Sequence, residues 1–258
     1  SRVLRSLLVV TFRLLSLRSK CVVVVPSDQV ADLIRKSSKG KFSVITIENP
    51  CLVVSEESVA NPKARKTPLF LWNSNLIEAK GYLEFTEALL ELSDFRGNSI
   101  DVVVAGKLMG STEYQRSVKK VHRELLQYSF QYIGPVDRMT MGQLLDNCTH
   151  VILPSRYRTE CQPLSVIEAM CFGRQIIISD LPALKETVGK YPSYCYELQD
   201  RSGLRNVMAE ATENFLLDEL DEFAPKLSDI EAARDRFSSE KFLRSIQAVF
   251  GIPAGYVV

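Results

Sequence analysis

PSRYRTECQPLSVIEAMCFGRQIIISD, residues 154–180, reads as a strand exit, a loop, a helix and the next strand. The apolar run His150–Leu153 precedes it. Pro163 stands where a helix begins, Gly173 closes that helix, and Gln175–Ser179 is a second apolar strand. Glu160 falls in the loop and Glu168 in the first turns of the helix, with seven residues between them. The free amino end of such a helix is an anion site, because its leading N–H groups lack partners and point outward. Two carboxylates beside it suit the hydroxyls of a sugar, while the amides suit its phosphates. The spacing alone decides little: about one such Glu pair is expected by chance, and Glu48 and Glu56 repeat it without the context. Strand, proline, helix and glycine in order are what favour the functional reading.

Outward from this stretch, strands alternate with helices. Leu69–Trp72, Ile100–Ala105, Gln131–Ile133 and a last short run at Ser193–Leu198 read as further strands. Ala79–Leu92, Glu113–Tyr128 and Met141–Cys148 read as the helices between them. This alternation predicts a doubly wound parallel sheet, with ligands at the carboxyl ends of its strands. Upstream, Cys21–Pro26 (CVVVVP) reads as a buried parallel strand, Ser27 as the cap of a helix to about Lys36, and Phe42–Ile47 as another strand. The boundaries that follow are a remnant of an N-terminal domain at 1–54, a linker at 55–67, an α/β domain at 68–200 and a helical tail at 201–258.

Composition bounds the function. The 258 residues are 46% hydrophobic and 24% charged, a soluble profile, and the net charge of +1 gives no pull toward nucleic acid. Six cysteines form no Cys-x-x-Cys and only two histidines accompany them, so neither a metal site nor a disulfide framework is expected; a reducing, cytoplasmic compartment fits. Residues 1–20 are apolar with only positive charge. Arg5 and Arg13 interrupt them too early for a membrane span. They read as an ordinary domain helix, or as a basic helix lying peripherally on a membrane surface.

Three loops carry candidate ligand contacts. Asn73–Gly81 (NSNLIEAKG) places Lys80 at the start of a helix, an odd position for a cation unless a polyphosphate sits there. Gly106 ends the next strand and permits a close approach by a ligand or another backbone. Gly134-Pro135-Val136 repeats the theme. Each also has a plain reading, as surface lysine or turn glycine. Cys161 lacks a nearby base and reads as structural, as do His122 and His150. No Gly-x-Gly-x-x-Gly or phosphate-loop pattern occurs, so no dehydrogenase or kinase cofactor is expected.

Together SNLIEAKG, Ala105-Gly106, YIGPV, Leu153-Pro154-Ser155 and EAMCFG resemble, in order, the C-terminal donor-binding half of the GT-B glycosyltransferases. The similarity is to the retaining group 1 class, glycosyltransferase family 4, over about Pro68–Leu198. The resemblance implies a Rossmann-like domain that takes a nucleotide-diphosphate sugar as substrate and needs no cofactor or metal. By position it implies Glu160 at the donor sugar as the catalytic residue, Lys80 on the diphosphate and Glu168 on the ribose. It puts the amides of Leu164 and Ser165 toward the diphosphate and Val136 toward the base, with Asn75 and Gly106 in the donor site. Asn75 replaces the family's frequent arginine and Pro163 a usual glycine, so one charge and one amide donor are lost. An N-terminal acceptor domain would complete the enzyme, in the same chain or as a partner chain. The acceptor would be a glycan or a lipid-linked sugar, and residues 1–258 by themselves would bind donor without transferring it. Rival readings are a GT-B sugar epimerase, a non-catalytic subunit of the same fold, and an unrelated flavodoxin-like binding module.

Overall fold

A computed structural model describes residues 22–53, 65–97, 99–200, 202–217 and 223–251. The helix expected at 1–20 and most of the expected linker lie outside these residues. The chain opens with β1 (Val22–Val25), α1 (Asp28–Ser38) and β2 (Ser43–Thr46), the two strands pairing in parallel. Ser27 caps α1, its Oγ accepting from the N–H of Val30 at 3.3 Å. The apolar run of β1 predicts burial on both faces. Instead Val22 is 48% exposed, because β2 is its one strand neighbour among the described residues.

The larger sheet has six parallel strands in the order β5-β4-β3-β6-β7-β8. They are β3 (Leu69–Asn73), β4 (Asp101–Ala105), β5 (Phe130–Gly134), β6 (His150–Leu153), β7 (Gln175–Ser179) and β8 (Tyr194–Tyr196). Around them lie α2 (Tyr82–Glu91), the short α3 (Ser93–Arg96), α4 (Thr112–Leu125), α5 (Arg138–Asn147), α6 (Leu164–Cys171) and α7 (Pro182–Val188). Then come α8 (Gly203–Leu217), α9 (Leu227–Arg236) and α10 (Ser239–Phe250). Among the described residues no helix is long and apolar enough to cross a membrane.

Alternation along each strand sorts the core onto two faces. Phe70, Trp72, Ile152 and Ile177 point to the face covered by α2, α4 and α8. Leu69, Leu71, Val151, Leu153, Ile176 and Ile178 point to the face covered by α6 and α9. Trp72 is fully buried, edge-on to Tyr82 at 4.9 Å and stacked on Phe85 at 5.6 Å. His150 is walled in beside Phe70 and Thr149, and burial pushes it down to about 3. His122 bonds the Tyr82 hydroxyl at 2.6 Å. Neither histidine lines the cavity described below.

Strand order reverses between β3 and β6, so their carboxyl ends diverge into a crevice. The small β1–β2 unit is fixed beside this edge. Glu186 of α7 accepts from the N–H groups of Asp28 and Gln29 at 2.6 and 3.1 Å, closing the amino end of α1. Glu48 pairs with Arg236 of α9, and the Asn49 N–H donates to Gln162 at 2.6 Å.

Candidate functional site

The crevice holds a cavity of about 450 Å³. Its first wall is the loop after β3, zipped to the loop after β4: the N–H of Leu76 donates to Lys107 O at 2.9 Å, and Asn75 Oδ1 accepts from the Lys107 N–H at 3.1 Å. Gly106 makes this possible. A Cβ there would lie 2.0 Å from Ser74 O, and its φ is +155°.

Lys80 does not start a helix. It ends a 3₁₀ turn, Glu78–Lys80, and α2 begins only at Tyr82 after Gly81 at φ +79°. The lysine therefore lies at the carboxyl end of a turn and directly before Gly81, the N-cap of α2. Its Nζ donates to Ser74 Oγ at 2.8 Å and lies 3.9 Å from Glu160 Oε2. Glu160 in turn accepts from Ser155 Oγ at 3.1 Å, and the Ser155 carbonyl is held by Ser179 Oγ at 2.6 Å. The loop carrying Glu160 is thus tied to the end of β7.

α6 supplies the floor. Pro163 is its N-cap, and its carbonyl accepts from Val166 and Ile167, leaving Leu164 and Ser165 as the leading amides. Glu168, one turn further, is 9% exposed. Burial raises its carboxyl to about 7, against the opposing pull of Arg138 and a hydrogen bond from Asn73. Asn73 Nδ2 donates to Glu168 Oε2 at 3.5 Å and to Ser165 O at 3.3 Å. Lys80, Asn75, Gly106, Val136, Glu160, Leu164, Ser165 and Glu168 all line the one cavity. Asn75 is there with its amide oxygen committed to the Lys107 backbone. A cation on one wall, leading amides below and two carboxylates 10% and 9% exposed can grip an anion and hydroxyls together. Among the described residues no three His, Cys, Asp or Glu converge as metal ligands.

Residues 53–221, more than half of the chain, match the family model described as glycosyl transferases group 1. The chain belongs to that family. Every residue of the cavity falls inside the matched span. No curated protein matches this glycosyltransferase sequence.

Solved structures share the GT-B, Rossmann-like fold. Sucrose-phosphate synthase from Thermosynechococcus elongatus superposes with a TM-score of 0.72 at 17% identity, over 89% of this chain and 57% of that one. A glycosyltransferase from Rickettsia africae gives 0.69 at 18%, over 90% and 63%. Anabaena HepE, in complex with UDP and glucose, gives 0.66 at 14%, over 90% and 63%. At these identities the likeness is one of fold, and the chain spans about six-tenths of the length of each.

The sequence reading missed Asn73, Gln162 and Met141, which also line the cavity. Asn73 had one visible signal, an amide ending an otherwise apolar strand. Gln162 had none: it is fixed by Asn49, through its Oε1, and by Glu48, to which its Nε2 donates at 2.9 Å. Both partners are more than a hundred residues away.

Proposed function

We propose that this chain is the donor-binding part of a retaining glycosyltransferase of the family 4 type, moving a sugar from a nucleotide diphosphate to a glycan or lipid-linked acceptor. One observation carries the reading: Lys80 and Glu160 stand 3.9 Å apart in the lining of a cavity whose floor is the open end of α6 with Glu168 behind it. The UDP and glucose held by HepE support a nucleotide sugar as the ligand class. Lys80 and the amides of Leu164 and Ser165 take the diphosphate and stabilise its charge as the leaving group departs. Glu160 meets the sugar hydroxyls near the reacting carbon, Glu168 the ribose hydroxyls, and Val136 the base. The acceptor belongs to an N-terminal domain, and effective molarity in the closed cleft supplies much of the rate.

Calorimetry with UDP, GDP and ADP sugars tests the site. At least one is expected to bind, and silence from all three at millimolar ligand would remove the reading's basis. Lys80→Ala is expected to weaken binding by about 1.5–3 kcal/mol, the scale of a charge-assisted contact, without loss of folding. An unchanged affinity would make Lys80 a surface lysine.

A separate titration in EDTA is expected to leave donor affinity unchanged. The sequence holds no Asp-x-Asp pair of the kind that bridges a metal to a diphosphate. A tenfold or larger loss in EDTA would show that a cation shares the load.

A further inference from the structure

Asn73 occupies the last position of β3, at the point where strand order reverses, and it is 8% exposed. An amide this deeply buried is costly unless it is bonded, so its contacts must be accounted for. Its Nδ2 group reaches two atoms of one helix: Ser165 O at 3.3 Å in the first turn of α6 and Glu168 Oε2 at 3.5 Å in the next. No other described side chain donates a hydrogen bond to the Glu168 carboxylate. Asn73 Oδ1 and Ser165 Oγ are themselves buried with no hydrogen-bond partner. The amide is therefore not fixed by a network of its own; what it does is span the strand end and the cavity floor.

We propose that Asn73 is a positioning residue for donor binding: its side-chain amide holds the Glu168 carboxylate against the strand end, aimed at the hydroxyl pair of the donor's ribose. The proposal rests on the reading of the cavity as a nucleotide-sugar site. Its physical content is a competition on one carboxyl group. Burial favours the uncharged acid, in which form Glu168 loses one acceptor oxygen and binds a diol less well. Two neighbours oppose burial, Arg138 at the start of α5 and the Asn73 amide. The other titratable or charged groups around Glu168 are Cys51, which precedes β3, and Cys171 on its own helix, with Arg234 of α9 acting on both thiols. Lys80 and Glu160 face it across the cavity. Arg138 is an exposed side chain and solvent screens it, whereas the amide of Asn73 is shielded and short-range.

The test is the affinity for UDP-glucose across pH 6 to 9, in wild type, Asn73→Leu and Asn73→Ala. A sugar diphosphate has no terminal phosphate titrating near pH 6, so the charge on the diphosphate stays constant. Wild-type affinity is expected to rise with pH through about 7, where the Glu168 carboxyl ionises. Both variants are expected to shift that rise upward, giving a loss of about threefold near pH 7 that narrows by pH 9. Asn73→Ala removes the amide with no added bulk if the leucine variant does not fold. A loss equal at every pH would mean that Asn73 merely packs, and the proposal would fail. Thermal unfolding without nucleotide gives a second readout. The Glu168-dependent step in melting temperature against pH is expected to move upward in the variants, and an unmoved step overturns the proposal. If the step moves but wild type binds none of the UDP, GDP and ADP sugars, the positioning stands and the nucleotide-sugar reading falls.

Discussion

Gly81→Ala is expected to destabilise the chain by about 3–5 kcal/mol and to take donor binding with it. Gly81 has φ +79°, and a Cβ there would lie 2.2 Å from Pro154 O, a backbone atom that cannot swing aside. The left-handed backbone alone costs an alanine about 1–2 kcal/mol. The rest comes from forcing apart two segments that are otherwise joined, since the Arg156 N–H donates to Ala79 O at 2.8 Å. These two segments carry Lys80 and Glu160, so the strain falls on the cavity itself. Gly40 provides the control. Its φ is +75°, but nothing lies within 4 Å of the added Cβ. Gly40→Ala is therefore expected to show the backbone cost alone, about 1–2 kcal/mol. Urea unfolding of the two variants side by side separates the terms. Equal losses would mean that the Pro154 carbonyl moves aside without cost.

That close approach marks the limit of what the sequence shows. The strands of the large sheet are legible because runs such as Asp101–Ala105 and Gln175–Ser179 have no polar interior and sit between turn residues. The starts of α1 and α6 are legible from Ser27 and Pro163, and the end of α6 from Gly173. The sequence reading passed over α7, although Pro182 at its first turn is an available signal. The placement of Lys80 went astray for a different reason. Gly81 is left-handed and leaves no room for a Cβ beside Pro154 O, and an approach across some seventy residues leaves no local trace. Lys80, Glu160 and Glu168 could be found because each sits beside a motif that survives in sequence. Asn73 showed only as an amide ending an apolar strand and Gln162 not at all, because their partners are brought near only by the fold.

Glu168→Gln is expected to make the empty protein more stable at pH 8 while weakening its hold on donor. In the folded chain the Glu168 carboxyl titrates at about 7, raised by burial, against an ordinary value of 4.5. Between those values the folded chain keeps a proton that the unfolded chain has released. Stability therefore falls as pH climbs from about 4.5 to about 7, and stays lower above it. The full gap amounts to about 3–4 kcal/mol, since each pKa unit is worth about 1.4 kcal/mol. A glutamine keeps the shape and an acceptor for the Asn73 amide, but it has no charge to bury. The variant is expected to melt higher than wild type at pH 8 and at nearly the same temperature at about pH 4.5, the ordinary carboxyl value. Its affinity for a nucleotide sugar at pH 8 is expected to drop about 10- to 100-fold, because a neutral amide oxygen accepts hydroxyl hydrogens more weakly than a carboxylate. Melting curves at the two pH values and one calorimetric titration decide the matter. A variant that is less stable at pH 8 would show that the glutamate belongs to the packing of α6. One that is more stable and binds as before would show that the ribose is held elsewhere. Gain in stability with loss of binding is the signature of a charge buried for the ligand, where the fold alone would favour a neutral side chain.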